Sequence, residues 1–443
     1  MKPRNPAVPE TFATEGARRA PCAGRRLLLA LMVLAAVDAA SPASAQEFAL
    51  RDGDRVVFYG DSITEDGRYA RTVETFVATR FPDWTISFWN AGVGGDKVSG
   101  GWAGDADTRL QRDVIAHQPT LVTIMLGMND AAYRANDPAV FDAYATGYRK
   151  LAARLKEALP GVRLTLILPS AYDDISRPVG FAEGYNAVLR RYGAFVQELA
   201  GQLGATTVDL NAPLVAGLEK VQRVNPVLAR QLIPDRVHPA AAGHLVMAGA
   251  LLRAWNAPAT VSRVELESSA AGTRILRTDR ADVILPPAKG GGYLEWSQTD
   301  KALPLPVTLR DGEAELAEMA GAGLEGLNQQ LLRITGLSAG RYEVVIDGTV
   351  VGRFSEAELL AGVNLAREET PMARQARPVS WKVEERHELE LVRRRLLVAA
   401  GDPKAAEAAA TLAVLDTRAQ QERQTLARPA VRRYEVRRSY AFR

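Results

Sequence analysis

The chain has 443 residues, 47% hydrophobic and 24% charged, with 55 Lys+Arg against 52 Asp+Glu and a single cysteine. That is ordinary globular composition and length enough for two domains, or for one domain with large additions. One cysteine excludes a disulfide scaffold, and the near balance of charge gives no ground for general attraction to nucleic acid or to a membrane surface.

Residues 1–45 read as an export signal. Arg25-Arg26 precede an apolar run from Leu27 to Val37, and small residues ending Ala43-Ser44-Ala45 place the expected cleavage before Gln46. The run is too short to span a bilayer, so no stable membrane anchor is expected. Arg25-Arg26-Leu27-Leu28 is similar to a twin-arginine signal, but Gly24 stands where Ser or Thr is usual, and the export route stays open. Cys22 would leave with the signal, and the mature chain would have no thiol chemistry. Residues 1–45 hold six Lys+Arg and three Asp+Glu, so the remainder carries 49 of each and is neutral. The expected location is periplasmic or extracellular.

From Val56 to about Trp255, short apolar stretches alternate with amphipathic ones. Strands are predicted at Val56–Gly60, Thr85–Ala91, Leu121–Leu126, Arg163–Pro169 and Thr206–Leu210. Helices are predicted at Arg68–Thr79, Ala106–His117, Phe141–Leu159, Ala182–Leu203 and Ala241–Trp255. Repeated β–α units with apolar strands imply an α/β domain, a parallel sheet covered on both faces, over residues 46–258. Catalytic groups on such sheets gather beyond the C-terminal strand ends. Residues 259–380 read as a β-rich accessory module, with Asp347-Gly348 as a hairpin turn. Residues 381–443 read as a helical segment, a helix pair over 383–426 broken at Gly401-Asp402-Pro403. The last stretch, Arg428–Arg443, holds six arginines and reads as a solvated basic tail.

Four segments carry chemistry. Phe-Tyr-Gly-Asp-Ser-Ile-Thr at 58–64 puts Ser62 at a strand-to-helix corner, where its hydroxyl is presented and the first helix amides face a developing anion. Asn-Ala-Gly-Val-Gly-Gly-Asp at 90–96 and Leu-Gly-Met-Asn-Asp at 126–130 follow the second and third predicted strands. Asp-Arg-Val-His-Pro at 235–239 sets a carboxylate three residues before an imidazole. A serine hydroxyl needs a base, and His238 is the candidate, with Asp235 fixing its tautomer. Taken alone, Asp-x-x-His also fits a surface turn or half a metal site, and Gly-Asp-Ser an ordinary turn.

Together the four blocks resemble the SGNH (GDSL) hydrolase family, over about half the chain. The resemblance implies a three-layer, flavodoxin-like sheet domain and a serine esterase working through Ser62, Asp235 and His238. It nominates three oxyanion donors: the Ser62 N–H, the Gly95 N–H and the Asn129 side-chain amide. Gly92 and Gly94 are neighbours of Gly95, and a missing Cβ suits close backbone approach. Asp61 and Asp130 are expected to build turns, and Thr64 or Glu65 to cap the helix that Ser62 begins. His117, His244 and His387 are expected to be structural or solvent-facing. No cluster has metal-ligand spacing, so neither metal nor other cofactor is expected.

Trp102 and Tyr172 are the candidate substrate contacts on the catalytic rim, with Asp173-Asp174 beside the tyrosine and Trp296 on a possible binding face of the accessory module. The expected substrate is a small ester or an acylated carbohydrate, with no nucleic-acid partner and the oligomeric state open. A lysophospholipase or short-chain acylhydrolase, and a non-catalytic envelope binding protein with a vestigial site, are the alternatives.

Overall fold

The computed structural model describes residues 47–287, 294–307, 312–398 and 402–439. Residues 1–46, including the expected signal over 1–45 and Cys22, lie outside the described residues, and Glu47–Arg443 forms one compact unit.

Five strands, β1 (Arg55–Gly60), β2 (Ser87–Gly92), β3 (Leu121–Met125), β4 (Arg163–Ile167) and β5 (Thr206–Val208), pair in parallel in the order β2-β1-β3-β4-β5. β1 and β3 are central and apolar almost throughout, as strands covered on both faces must be. Eight helices accompany them: α1 (Ser62–Asp66), α2 (Arg68–Arg80), α3 (Ala106–Asp113), α4 (Pro138–Ala158), α5 (Tyr185–Leu203), α6 (Asn211–Val224), α7 (Pro226–Ala229) and α8 (Ala241–Ala254). α2, α6 and α8 pack in one group, and α3, α4 and α5 in another. The strand order turns back between β1 and β3, so the crevice beyond their C-terminal ends is where a ligand site is expected. Ser62 and Asn129 stand at those two ends. α6, like the one-turn α7, is absent from the helices expected from the sequence. Its buried Leu214, Leu218 and Val221 nevertheless have helical spacing.

Nine further strands follow: β6 (Thr260–Ser269), β7 (Gly272–Asp279), β8 (Ala281–Ile284), β9 (Leu294–Asp300), β10 (Gln329–Thr335), β11 (Arg341–Ile346), β12 (Thr349–Ser355), β13 (Val363–Asn364) and β14 (Arg432–Arg438). They form two sheets, β8-β9-β14-β11-β12 and β13-β10-β6-β7. The turn from β11 to β12 is Asp347-Gly348, with φ of 50° and 78°, the paired positive values of a type I′ hairpin. The remaining helices are α9 (Glu313–Met319), α10 (Glu356–Ala361), α11 (Pro371–Val398) and α12 (Pro403–Ala427). α11 begins at Pro371 rather than near 381 and carries Pro378 within it.

Two expectations are overturned in this half. The arginine-rich end is a structural strand. β14 lies between β9 and β11, and its Tyr434 and Val436 are buried. Arg433 pairs with Glu295, and Arg437 with Glu343, so acidic neighbours on the flanking strands neutralise the charge. Trp296 offers no binding face. It is fully buried, stacked on Tyr434 at 5.0 Å, with its indole N–H donating to Gln298.

The later elements are fused to the sheet domain through buried groups. The Arg80 guanidinium donates to the carbonyls of Pro258 (2.6 Å) and Leu327 (3.0 Å). Leu305, Leu316 and Leu324 belong to the same apolar core as the parallel sheet. The α11–α12 pair lies along α2 and β2. There Arg386 and Arg423 both donate to the buried Glu74 of α2, and Arg386 also to Asp416.

Candidate active site

The Asp61 side chain caps α1 by accepting the Ile63 N–H at 3.0 Å, which leaves Ser62 as the first helical residue with no intrahelical acceptor for its own N–H. The Ser62 hydroxyl lies 2.8 Å from His238 Nε2. His238 Nδ1 lies 2.6 Å from Asp235 Oδ2, while Asp235 Oδ1 accepts the backbone N–H of Val237 (3.0 Å) and of His238 (2.8 Å). A carboxylate only accepts, so Nδ1 carries a proton and, in the neutral ring, Nε2 offers a lone pair to the serine O–H. Partial burial pulls the Asp235 carboxyl upward, but the hydrogen bonds from His238 and Val237 outweigh it and hold the group below the usual range. The sequence is therefore Ser62, His238 and Asp235 in one unbroken hydrogen-bonded relay.

Gly95 sits on the loop after β2 with φ of 76°, a left-handed conformation that glycine adopts without strain. The base of this loop lies on the start of α1: a Cβ on Gly92 would come within 2.2 Å of Glu65 N, so only glycine fits there. Two side chains hold Gly94. Glu65 accepts the Gly94 N–H at 2.9 Å, and the Trp102 indole N–H donates to the Gly94 carbonyl at 3.0 Å. Asn129 Nδ2 donates to the Asp96 carbonyl at 3.1 Å, which ties the third block to the same loop, and the Tyr133 hydroxyl donates to Asn129 Oδ1 at 2.9 Å. The amide is thereby oriented, with one N–H still available. Asp130 accepts the Val98 N–H at 3.0 Å and pins the far side of the loop.

Several side chains do other work than expected. Glu65 braces the loop and Thr64 meets the Tyr69 hydroxyl at 3.1 Å, so neither caps α1. Asp173 and Asp174 turn inward. Asp173 accepts the N–H of Ile175 and Ser176 and pairs with Arg177, and Asp174 accepts the Asn186 N–H. Tyr172 packs edge-on to Tyr185 at 5.1 Å and near Tyr133 at 6.3 Å. Trp102 is 66% exposed, with only its N–H engaged internally. His244 stacks on Tyr69, accepts its N–H at Nδ1, and meets Asp66 through Nε2. Desolvation lowers its pKa to about 4, so this contact is a hydrogen bond from a neutral ring. His117 and His387 are likewise held neutral by burial, at about 4 and about 3.

Sequence reading missed Tyr133 and the bracing role of Glu65. A signal existed for the first, since Tyr133 lies four residues beyond Asn129. Beneath the site, Asp61 and Asp130 are buried, and desolvation raises both to about 7. Burial also pushes Asp96 upward, partly opposed by Arg109 at 2.9 Å.

The GDSL-like Lipase/Acylhydrolase family model matches residues 58–246, the span from the Ser62 corner through His238. An acetylxylan esterase of Geobacillus stearothermophilus is 28% identical over 222 residues, 45% of this chain and 93% of that protein. The solved structure of a gut microbial diltiazem-metabolizing enzyme superposes with a TM-score of 0.78 at 26% identity, covering 89% of this chain and 99% of its own. Residues 58–246 of the chain match the GDSL-like lipase/acylhydrolase family model, and the protein is a carboxylic ester hydrolase.

Proposed function

We propose that the protein is an exported esterase that removes short acyl groups, acetyl above all, from carbohydrate hydroxyls through an acyl-Ser62 intermediate. The relay from Ser62 through His238 to Asp235, at 2.8 and 2.6 Å, is the observation that carries the reading. The ester carbonyl would lie against the Ser62 hydroxyl. His238 Nε2 takes the serine proton as Oγ attacks, and Asp235 stabilises the imidazolium. The tetrahedral oxyanion faces the Ser62 and Gly95 N–H groups and the free Asn129 N–H. Collapse expels the alcohol, which takes the proton from His238. Water, deprotonated by His238, then attacks the acyl-serine, and the acid leaves as serine regains its proton. Every group required is among these residues, and no step calls on a metal.

The carbohydrate choice rests on the acetylxylan esterase relative, and the export on the signal-like residues 1–45. A second reading is a non-carbohydrate small molecule, favoured by the diltiazem-metabolizing enzyme whose structure matches 89% of this chain. Acetate release from acetylated xylan, measured beside p-nitrophenyl acetate hydrolysis, separates the two. The first reading expects acetate from the polymer. Hydrolysis of the aryl ester with none from the polymer favours the second. An N-terminus at Gln46 on protein recovered outside the cytoplasm is the expected outcome for export, and an intact Met1 in the cytoplasm contradicts it.

A further inference from the structure

The Gly94–Gly95 peptide is fixed on both sides by side chains whose roles the relay does not explain. A trans peptide holds its C=O and its N–H pointing in opposite directions, and no described bond of this chain is cis. The Gly94 carbonyl and the Gly95 N–H belong to one such plane. When the Trp102 indole N–H holds the Gly94 oxygen at 3.0 Å, the Gly95 N–H must point away from Trp102. The preceding peptide is set separately by Glu65, whose Oε2 accepts the Gly94 N–H at 2.9 Å. Gly94 lies beside the serine, since a Cβ built there would sit 3.1 Å from Glu65 Oε2 and 4.0 Å from Ser62 Cβ.

Glu65 is itself backed from far along the chain. Its other oxygen, Oε1, lies 3.6 Å from the buried guanidinium of Arg394 on α11, and 4.0 Å from Arg395. Arg394 also donates to the Asn90 carbonyl at 2.6 Å, at the entry to the same loop. Asn90 in turn donates to the Thr64 carbonyl and accepts the Gly92 N–H at 2.8 Å. A helix outside the family-matched segment thus reaches the base of the oxyanion loop.

We propose that Trp102 and Glu65, the latter paired with Arg394 of α11, are positioning residues that aim the Gly95 N–H at the oxyanion. The proposal rests on the reading of Gly95 as an oxyanion donor. It makes Trp102 part of the loop's orientation whatever its exposed ring does for substrate, and it gives the C-terminal helix pair a part in turnover without a catalytic group. Loss of aim acts where the oxyanion forms, so it lowers kcat rather than raising KM. Removing a whole donor costs about 10²–10³ in turnover, and loosening one is expected to cost about tenfold.

The test uses the full chain with p-nitrophenyl acetate and an aryl trifluoromethyl ketone, whose serine adduct carries the oxyanion. Trp102→Phe keeps the ring and removes the N–H. Glu65→Ala removes the acceptor, and Glu65→Gln keeps an oxygen for Gly94. Trp102→Phe and Glu65→Ala are expected to lose about tenfold in kcat with KM little changed, and ketone affinity should fall in step. Glu65→Gln should recover most of the loss. Wild-type kcat in Glu65→Ala and Trp102→Phe overturns the proposal, as does a loss of kcat with undiminished ketone affinity. Asn129→Ala, run in parallel, keeps the two levels apart. If it too leaves kcat and ketone affinity intact, the oxyanion reading itself is wrong. If it weakens both while the clamp variants do not, only the clamp is wrong.

Discussion

At the scale of single residues, neighbouring side chains fix the orientation of the groups at the site. Tyr133 is the clearest case. Its hydroxyl donates to Asn129 Oδ1 and so turns the amide N–H outward, and its ring stacks on Tyr185 at 5.0 Å. Desolvation raises its pKa to about 12, which keeps the phenol a donor throughout the working range. Tyr133→Phe should keep the stack and lower kcat by about five- to tenfold with KM almost unchanged, as steady-state kinetics on p-nitrophenyl acetate would register. A rise in KM alone would make Tyr133 a substrate contact instead. Asp130 makes a second prediction. Burial raises its pKa from 3.8 to about 7, so the folded state binds a proton that the unfolded state releases. Stability from this group is complete below about pH 4 and falls as pH rises toward 7. Asp130→Asn resembles the protonated form and can still accept the Val98 N–H. Its denaturation midpoint should therefore decline less than the wild type between pH 4 and 7; an identical slope would contradict this.

At the scale of elements, the join between α2 and the C-terminal helix pair is a buried charge cluster. Glu74 accepts from Arg386 and Arg423, and Asp416 shares Arg386. Removing the carboxylate leaves two buried cations short of a partner, and breaking such a pair costs about 3–5 kcal/mol. Glu74→Ala should lower the unfolding free energy by about that much, read by denaturant titration, whereas a change under about 0.5 kcal/mol would mean that water already screens the cluster. The five parallel strands and the four blocks that converge at the site were legible because their signals are local: short, mainly apolar runs, and a serine, glycines, an asparagine and an Asp-x-x-His pair near strand ends. Strand β14 was not legible. Arg-Arg-Tyr-Glu-Val-Arg-Arg alternates only through Tyr434 and Val436, and the strands and glutamates that it pairs with lie more than eighty residues away. The bracing of Glu65 by Arg394 is equally long-range. The omission of α6 is different in kind, since its apolar spacing was present in the sequence itself.

At the scale of the whole molecule, the sheet domain and its additions share cores and do not behave as beads on a string. Arg80 is buried, with its donors on Pro258 and Leu327, and Ala78 of α2 packs in the accessory core. A chain cut after Pro258 would expose these groups together with Glu74, and it should fail to give a cooperative thermal transition. A sharp transition with full aryl-esterase turnover would show that the additions are dispensable. The proposed reaction turns on acylation of Ser62, activated by His238 and Asp235. The most direct measurement is intact-mass and peptide mass spectrometry of the enzyme quenched during turnover of p-nitrophenyl acetate. The expected result is one acetyl group per chain, mapped to Ser62, and none on Ser62→Ala. An active enzyme that never carries the acyl group on Ser62, or a folded Ser62→Ala variant with wild-type turnover, would contradict it.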